Sequence, residues 1–235
     1  MRVLIGLENN TERRSIAWAL DYPGCFAYGV DGPIALVSAP QALVAYQAWI
    51  AGHDPAAVPE LGDFDVRLAE VWEGYSINDR YDLDVEGREV NAWFRHDWKP
   101  LQAEEVARGL RLLEWSRTDL LATVAGLPDD RLDAQYPKER LSIRGLLRHV
   151  ANAEWWYLDR LDLAGCEREA LPENELERLA YTRARLNAVL PELIGSEKVL
   201  GKLGEFWGPR KLLRRALWHE IDHREHIRKL LVASD

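Results

Sequence analysis

Six histidines are spread over the 235 residues, and three of them fall where they could do chemistry. Leu212, Ala216, His219, His223, His226 and Leu230 recur at intervals of 4, 3, 4, 3 and 4, the stripe that a helix turns toward its packing partners. Leu or Ile is the usual occupant of such a stripe, because a buried imidazole must find partners for its ring nitrogens. His219 and His223 are four apart, which puts their side chains about 5–6 Å from each other on one face. His149 lies on a similar stripe with Leu146, Ala153 and Trp156. Three neutral imidazoles with coordination positions left open make a competent metal site. The expectation is therefore that His149, His219 and His223 bind one divalent ion. Zinc and nickel are preferred and iron is also compatible, since imidazole suits all three. The competing reading is a set of hydrogen-bonded core histidines. His226 stands about 10 Å along the axis from His219 and is assigned a structural place beside the site. His53, in a loop, and His96, near a change in sequence character, are expected to be solvated or locally hydrogen-bonded.

His219-Glu220-Ile221-Asp222-His223 also spells HExxH, the zinc metalloprotease signature. That chemistry needs a third ligand downstream, yet only 12 residues follow His223 and His226 is too close. Asp222 is an awkward residue inside a buried helix of that kind. The protease reading is set aside, but Glu220 is kept as the candidate catalytic base. It lies about 100° round the helix from His219, within reach of the site. The alternative for Glu220 is a solvated or salt-bridged helix residue. A di-iron bundle would need a second ExxH motif and two more glutamates, and the sequence has no second motif.

These residues need helices to hold them. From Trp98 onward the apolar pattern has helical period, with helices expected near 101–125, 141–163, 173–194 and 209–231. Pro172 and Pro209 stand where helix-opening prolines belong. Together these predict a four-helix bundle. Before Trp98 the pattern is mixed. Strands are expected at 2–7, 15–20, 25–30 and 66–72, with a helix over about 33–51. Asp21-Tyr22-Pro23-Gly24 forms a turn, 54–65 a loop, and 89–94 an edge strand. The fold class is α+β: a small N-terminal α+β domain, residues 1–97, followed by an all-α four-helix bundle, residues 98–235.

Charge marks the same division. Residues 1–97 hold 7 Lys/Arg and 16 Asp/Glu, whereas residues 98–235 hold 23 of each, so the whole net charge of −9 sits in the first part. Neither part has the basic excess of a nucleic-acid-binding surface. No run approaches the roughly 18 consecutive apolar residues of a membrane span, and the N-terminus meets Glu8 and Glu12 too early for a signal peptide. The expected location is cytoplasmic, with no nucleic-acid or membrane partner. Cys25 and Cys166 are too far apart in sequence to suggest a disulfide framework or a metal pair.

Residues 98–235 resemble the DinB superfamily of metal-binding four-helix bundles. The resemblance is carried by Ser142-Ile143-Arg144-Gly145-Leu146-Leu147-Arg148-His149 with Glu154-Trp155-Trp156-Tyr157, by Thr182-Arg183-Ala184, and by Leu217-Trp218-His219-Glu220-Ile221-Asp222-His223-Arg224. It implies a metal on His149, His219 and His223. It also implies a metal-dependent transferase that uses a low-molecular-weight thiol such as bacillithiol or mycothiol. Arg144, Arg148 or Arg224 would then supply charge for an anionic cofactor. The resemblance further implies a homodimer. The alternatives are a metal-dependent hydrolase with Glu220 as base, and a non-catalytic protein that binds a ligand or partner. Residues 1–52 resemble HicB-like antitoxin domains through Asp21-Tyr22-Pro23-Gly24-Cys25-Phe26-Ala27-Tyr28-Gly29 followed by a helix, which implies a partner-binding module.

Overall fold

The computed structural model describes residues 1–232. Two compact units divide the chain. One comprises Met1–Lys99 with Val199–Lys211; the other comprises Pro100–Lys198 and the chain from Leu212 on. The class is mixed α+β, a sheet region followed by helices.

In the first unit, β1 (Arg2–Thr11) and β2 (Arg14–Ala19) form an antiparallel hairpin. Glu12 and Arg13 turn it with φ of 51° and 61°, the two positive values that a tight twisted hairpin requires. β3 (Phe26–Gly29) pairs antiparallel with β2, and β4 (Asp65–Glu73) pairs parallel with β1, giving the order β3-β2-β1-β4. A parallel pair needs a crossover, and α1 (Gly32–His53) provides it. Asp31 caps α1, its carboxylate accepting from the Ile34 amide at 2.9 Å. Gly29 fits the tight entry to this helix, since a Cβ there would stand 2.2 Å from the Ala35 nitrogen. By length and hydropathy α1 could cross a membrane, but its Ala35, Ala39, Leu43, Tyr46 and Ile50 are buried in this unit.

Three details of the first unit differ from the sequence reading. The segment expected as an edge strand over 89–94 is strand only at β6 (Arg88–Glu89), which pairs with β5 (Ser76–Ile77). Val90, Ala92 and Phe94 are buried, the Ala92 amide donates to Glu8 Oε1 at 2.9 Å, and the Asn91 amide donates to Glu205 Oε1 at 3.3 Å. An extended segment whose amides bond to side chains shows the same alternation as a strand without joining a ladder. The second difference is a hairpin of β7 (Leu200–Lys202) and β8 (Glu205–Trp207), turned by Leu203 and Gly204 at φ of 53° and 79°. It belongs with the first unit although it lies late in the chain. His53 is the last residue of α1 rather than a loop residue.

The second unit is helical: α2 (Ala103–Val124), α3 (Asp129–Asp133), α4 (Ile143–Asp159), α5 (Glu175–Val189), and α6 (Pro209–Val232) from Leu212 on. Three of the long helices, α2, α4 and α5, have capped starts. The Gln102 amide donates to Glu105 Oε2 at 2.9 Å, Ser142 Oγ accepts from the Gly145 amide at 3.2 Å, and Asn174 Oδ1 accepts from Leu176 and Glu177. Leu120, Val124, Ile143, Leu146, Leu147, Val150, Leu179, Ile227 and Leu230 share one buried apolar cluster, each worth roughly 1.5–3 kcal/mol of transfer from water. Gly109 sits where α2 and α6 approach closely, since a Cβ there would be 2.7 Å from Leu213 Cδ2.

Candidate metal centre

On α4 the apolar cluster surrounds His149 with Leu146, Leu147, Val150 and Ala151, and on α6 it begins at Ile227, one turn after His223. His219 Nε2 lies 3.1 Å from His149 Nε2 and 3.1 Å from His223 Nε2. One potential ligand atom from each of the three residues lies within 4.8 Å of those from the other two. His219 is buried at 8% exposure, while His149 and His223 are partly exposed. Tyr157 and Trp218 stand against His219, with ring centroids 6.0 and 5.7 Å away. His226 is outside the set. Its Nε2 lies 3.1 Å from Glu139 Oε2, with its ring 6.1 Å from that of His223. His96 bonds Asp21 Oδ1 at 2.9 Å in the first unit.

A direct hydrogen-bond reading of the trio falls short. A neutral imidazole nitrogen carries either one proton or one lone pair. His219 Nε2, 3.1 Å from two other Nε2 atoms, can therefore make one good bond of this kind, not two. A cation accepts all three lone pairs at once. Tetrahedral bonds of 2.0–2.1 Å would separate the nitrogens by about 3.3 Å, close to the two distances found. Protonation is also disfavoured. Burial, and then the neighbouring His223, His149 and Arg215, hold His219 well below the ordinary histidine pKa, so its lone pair is available at neutral pH. The donor set fits a divalent ion.

Glu220 is turned away into a different constellation. Its Oε2 accepts from Arg117 Nε at 2.6 Å, and its Oε1 accepts from Arg183 Nη2 at 3.0 Å and from the Ser116 hydroxyl. Glu154 on α4 completes the arrangement. Its Oε1 accepts from Arg183 Nε at 2.7 Å, and its Oε2 from Arg117 Nη2 at 3.2 Å and Thr182 Oγ1 at 2.8 Å. Arg117 also donates to the Leu179 carbonyl, and Arg183 to that of Leu113. The four charged side chains are at most 10% exposed. Burial alone would raise the Glu220 pKa, but Arg183, Arg117 and Ser116 outweigh it and hold the carboxyl below its ordinary range. Both oxygens are occupied and the group is a poor proton acceptor. Glu154, Thr182 and Arg183 all fall in the stretches singled out by sequence, but nothing there showed that they would meet. Ser116 and Arg117 carried no signal beyond their place on a helix.

Two of the three arginines assigned by sequence to an anionic cofactor are engaged. Arg144 bonds Asp129, Asp133 and Glu175, and Arg224 bonds Asp119 and Glu225. Arg148 is half-exposed and 4.0 Å from Glu175.

Residues 112–227 match the family model of the DinB superfamily. The matched stretch contains all three histidines and all four members of the buried ion network. A comparison with curated proteins finds no match.

Proposed function

We propose that the second unit is a DinB-type four-helix bundle that holds one divalent metal ion, zinc or nickel, on His149, His219 and His223. The observation that carries this reading is the convergence of three Nε2 atoms that cannot all hydrogen-bond to one another. We further infer an enzyme, a metal-dependent transferase acting on a low-molecular-weight thiol. A bound divalent cation would supply Lewis acidity, which lowers the pKa of a coordinating thiol and favours the nucleophilic thiolate. The chain's own residues have separate tasks. His149, partly exposed, and His219, buried, approach from two helices. The network of Glu154, Glu220, Arg117 and Arg183 fixes those helices against each other. We assign Glu220 this positioning role in preference to that of base, because its oxygens are taken; the hydrolase reading thereby loses its proton acceptor. The HicB-like character of the first unit is proposed on the Asp21–Gly29 stretch and the helix that follows it.

Elemental analysis of purified protein tests the centre. About one equivalent of metal is expected in the wild type and far less in His149→Ala and His223→Ala at unchanged helix content. A folded wild type that takes up no zinc, nickel or iron would end the metal reading. Transfer of a thiol to an electrophilic substrate by the loaded protein, lost in both variants, tests the activity.

A further inference from the structure

The end of the histidine centre opposite the apolar cluster is built differently. Glu139 meets His226, and His149 meets His219 and His223, so α4 and α6 run antiparallel here. Continuing from His149 toward the end of α4, the same face carries Ala153, Trp156 and Arg160, at intervals of 4, 3 and 4. Arg160 keeps helical geometry, with φ −58° and ψ −23°. Helical side chains lean toward the N-terminus, and its guanidinium accordingly lies back over the Trp156 ring, 4.7 Å from the centroid. It therefore lies over the preceding helical turn, on the His149 side of its own Cα. On α6, Arg215 stands one turn before His219, 5.1 Å over the Trp218 ring. Both arginines are buried, at 5% and 1% exposure.

Arg160 is only partly matched. Its Nη2 donates to Asp159 Oδ2 at 3.0 Å, while Nε and Nη1 are buried with no hydrogen-bond partner among the described residues. A buried guanidinium with unmatched donors is costly, and the group that relieves it best is an oxyanion accepting charge-assisted bonds in the guanidinium plane. We propose that Arg160 binds a carboxylate or phosphate group of the small molecule that reaches the histidine centre. The anionic group would sit about 10 Å along the bundle axis from His149, the rise of the two helical turns to Trp156. The centre would thus select an extended ligand, anionic at one end and with a metal-seeking donor at the other. Assigning this anion to the substrate rests on the metal reading above; anion binding at Arg160 does not.

The test is calorimetric titration of the full chain with succinate, with inorganic phosphate and with neutral succinamide, at constant ionic strength. It is run on zinc-loaded and on chelator-treated protein. The wild type is expected to bind at least one of the two anions and not the amide, and the tighter of the two identifies the group. Arg160→Gln should weaken that binding at least tenfold. Arg160→Lys, which keeps the charge and loses the planar fork, should weaken it less and covers the case in which the glutamine variant fails to fold. The exposed control Arg228→Gln should leave it unchanged. Wild-type protein that binds neither anion, or binding untouched in the folded Arg160 variants, would overturn the proposal even with one equivalent of zinc in place. Arg160-dependent binding in protein that takes up no zinc would instead uphold the anion site and remove the metal centre.

Discussion

Replacing Arg183 with Met tests whether the buried ion network holds the helical unit together. Arg183 donates to Glu154 at 2.7 Å, to Glu220 at 3.0 Å and to the Leu113 carbonyl. Met fills much of the same volume but leaves two carboxylates, 4% and 1% exposed, to share the single remaining arginine. Removing one partner of a buried pair costs about 3–5 kcal/mol, because the other charge stays buried without compensation. Against a total stability of about 5–15 kcal/mol this is a large fraction. With a urea dependence of about 2–3 kcal/mol per molar, the midpoint should fall by roughly 1–2 M. Far-ultraviolet circular dichroism follows the helices directly. Adding Glu154→Gln removes the excess negative charge that Arg183→Met creates, so the double variant should recover about 1–3 kcal/mol relative to the sum of the single losses. A loss below about 1 kcal/mol for Arg183→Met, or strict additivity in the double variant, would refute the claim that the four charges act as one unit.

Three further outcomes follow from other parts of the structure. The hydrogen bond from His96 pulls the Asp21 carboxyl below its ordinary pKa, against a smaller opposing effect of burial. Its contribution is therefore present above the ordinary carboxylate range and is lost as pH falls through the depressed value. The stability difference between wild type and Asp21→Asn should shrink progressively as pH is lowered through and below the ordinary carboxylate range in a urea series, and a difference that grows on acidification would contradict the sign. Burial pushes the Cys25 thiol up to about 12, so at pH 8 only about one part in ten thousand is thiolate. Native protein should consume one equivalent of an aromatic disulfide reagent, at the partly exposed Cys166, and the second only on unfolding; two fast equivalents would count against the packing around Cys25. Gly109→Ala should cost about 1–3 kcal/mol by overpacking against Leu213, despite alanine's better helix propensity. Trimming the neighbour with Leu213→Ala should make the glycine substitution neutral or stabilising, and a loss of equal size in that background would place the clash elsewhere.

What could be read from the sequence divides along a physical line. Periodicity reports which face of an element is buried, so the existence of α2, α4, α5 and α6 and the shared face of His219 and His223 were legible, while the ends expected at 163 and 194 ran past Asp159 and Val189. The same signal does not report what a buried residue meets. The stripe that carried the histidines therefore said nothing of the arginines and glutamates on the adjoining faces. Glu220 illustrates the limit. Its position about 100° from His219 is consistent with reaching a shared site or with turning into the neighbouring helices. Only the presence of Arg117 and Arg183 on α2 and α5 decides between these. A spelled motif, HExxH, fixed the identities and the spacing and left the decisive variable open. The segment 89–94 failed for a related reason. Alternation is a property of extended backbone, and whether that backbone joins a ladder depends on acceptors supplied by distant residues, here Glu8 and Glu205. Charge bookkeeping was similarly incomplete. The even balance of 23 positive and 23 negative residues after Trp98 could describe a solvated helical surface. Part of it is instead spent inside, in two carboxylates set against two arginines, while Arg160 keeps donors with no partner among the described residues.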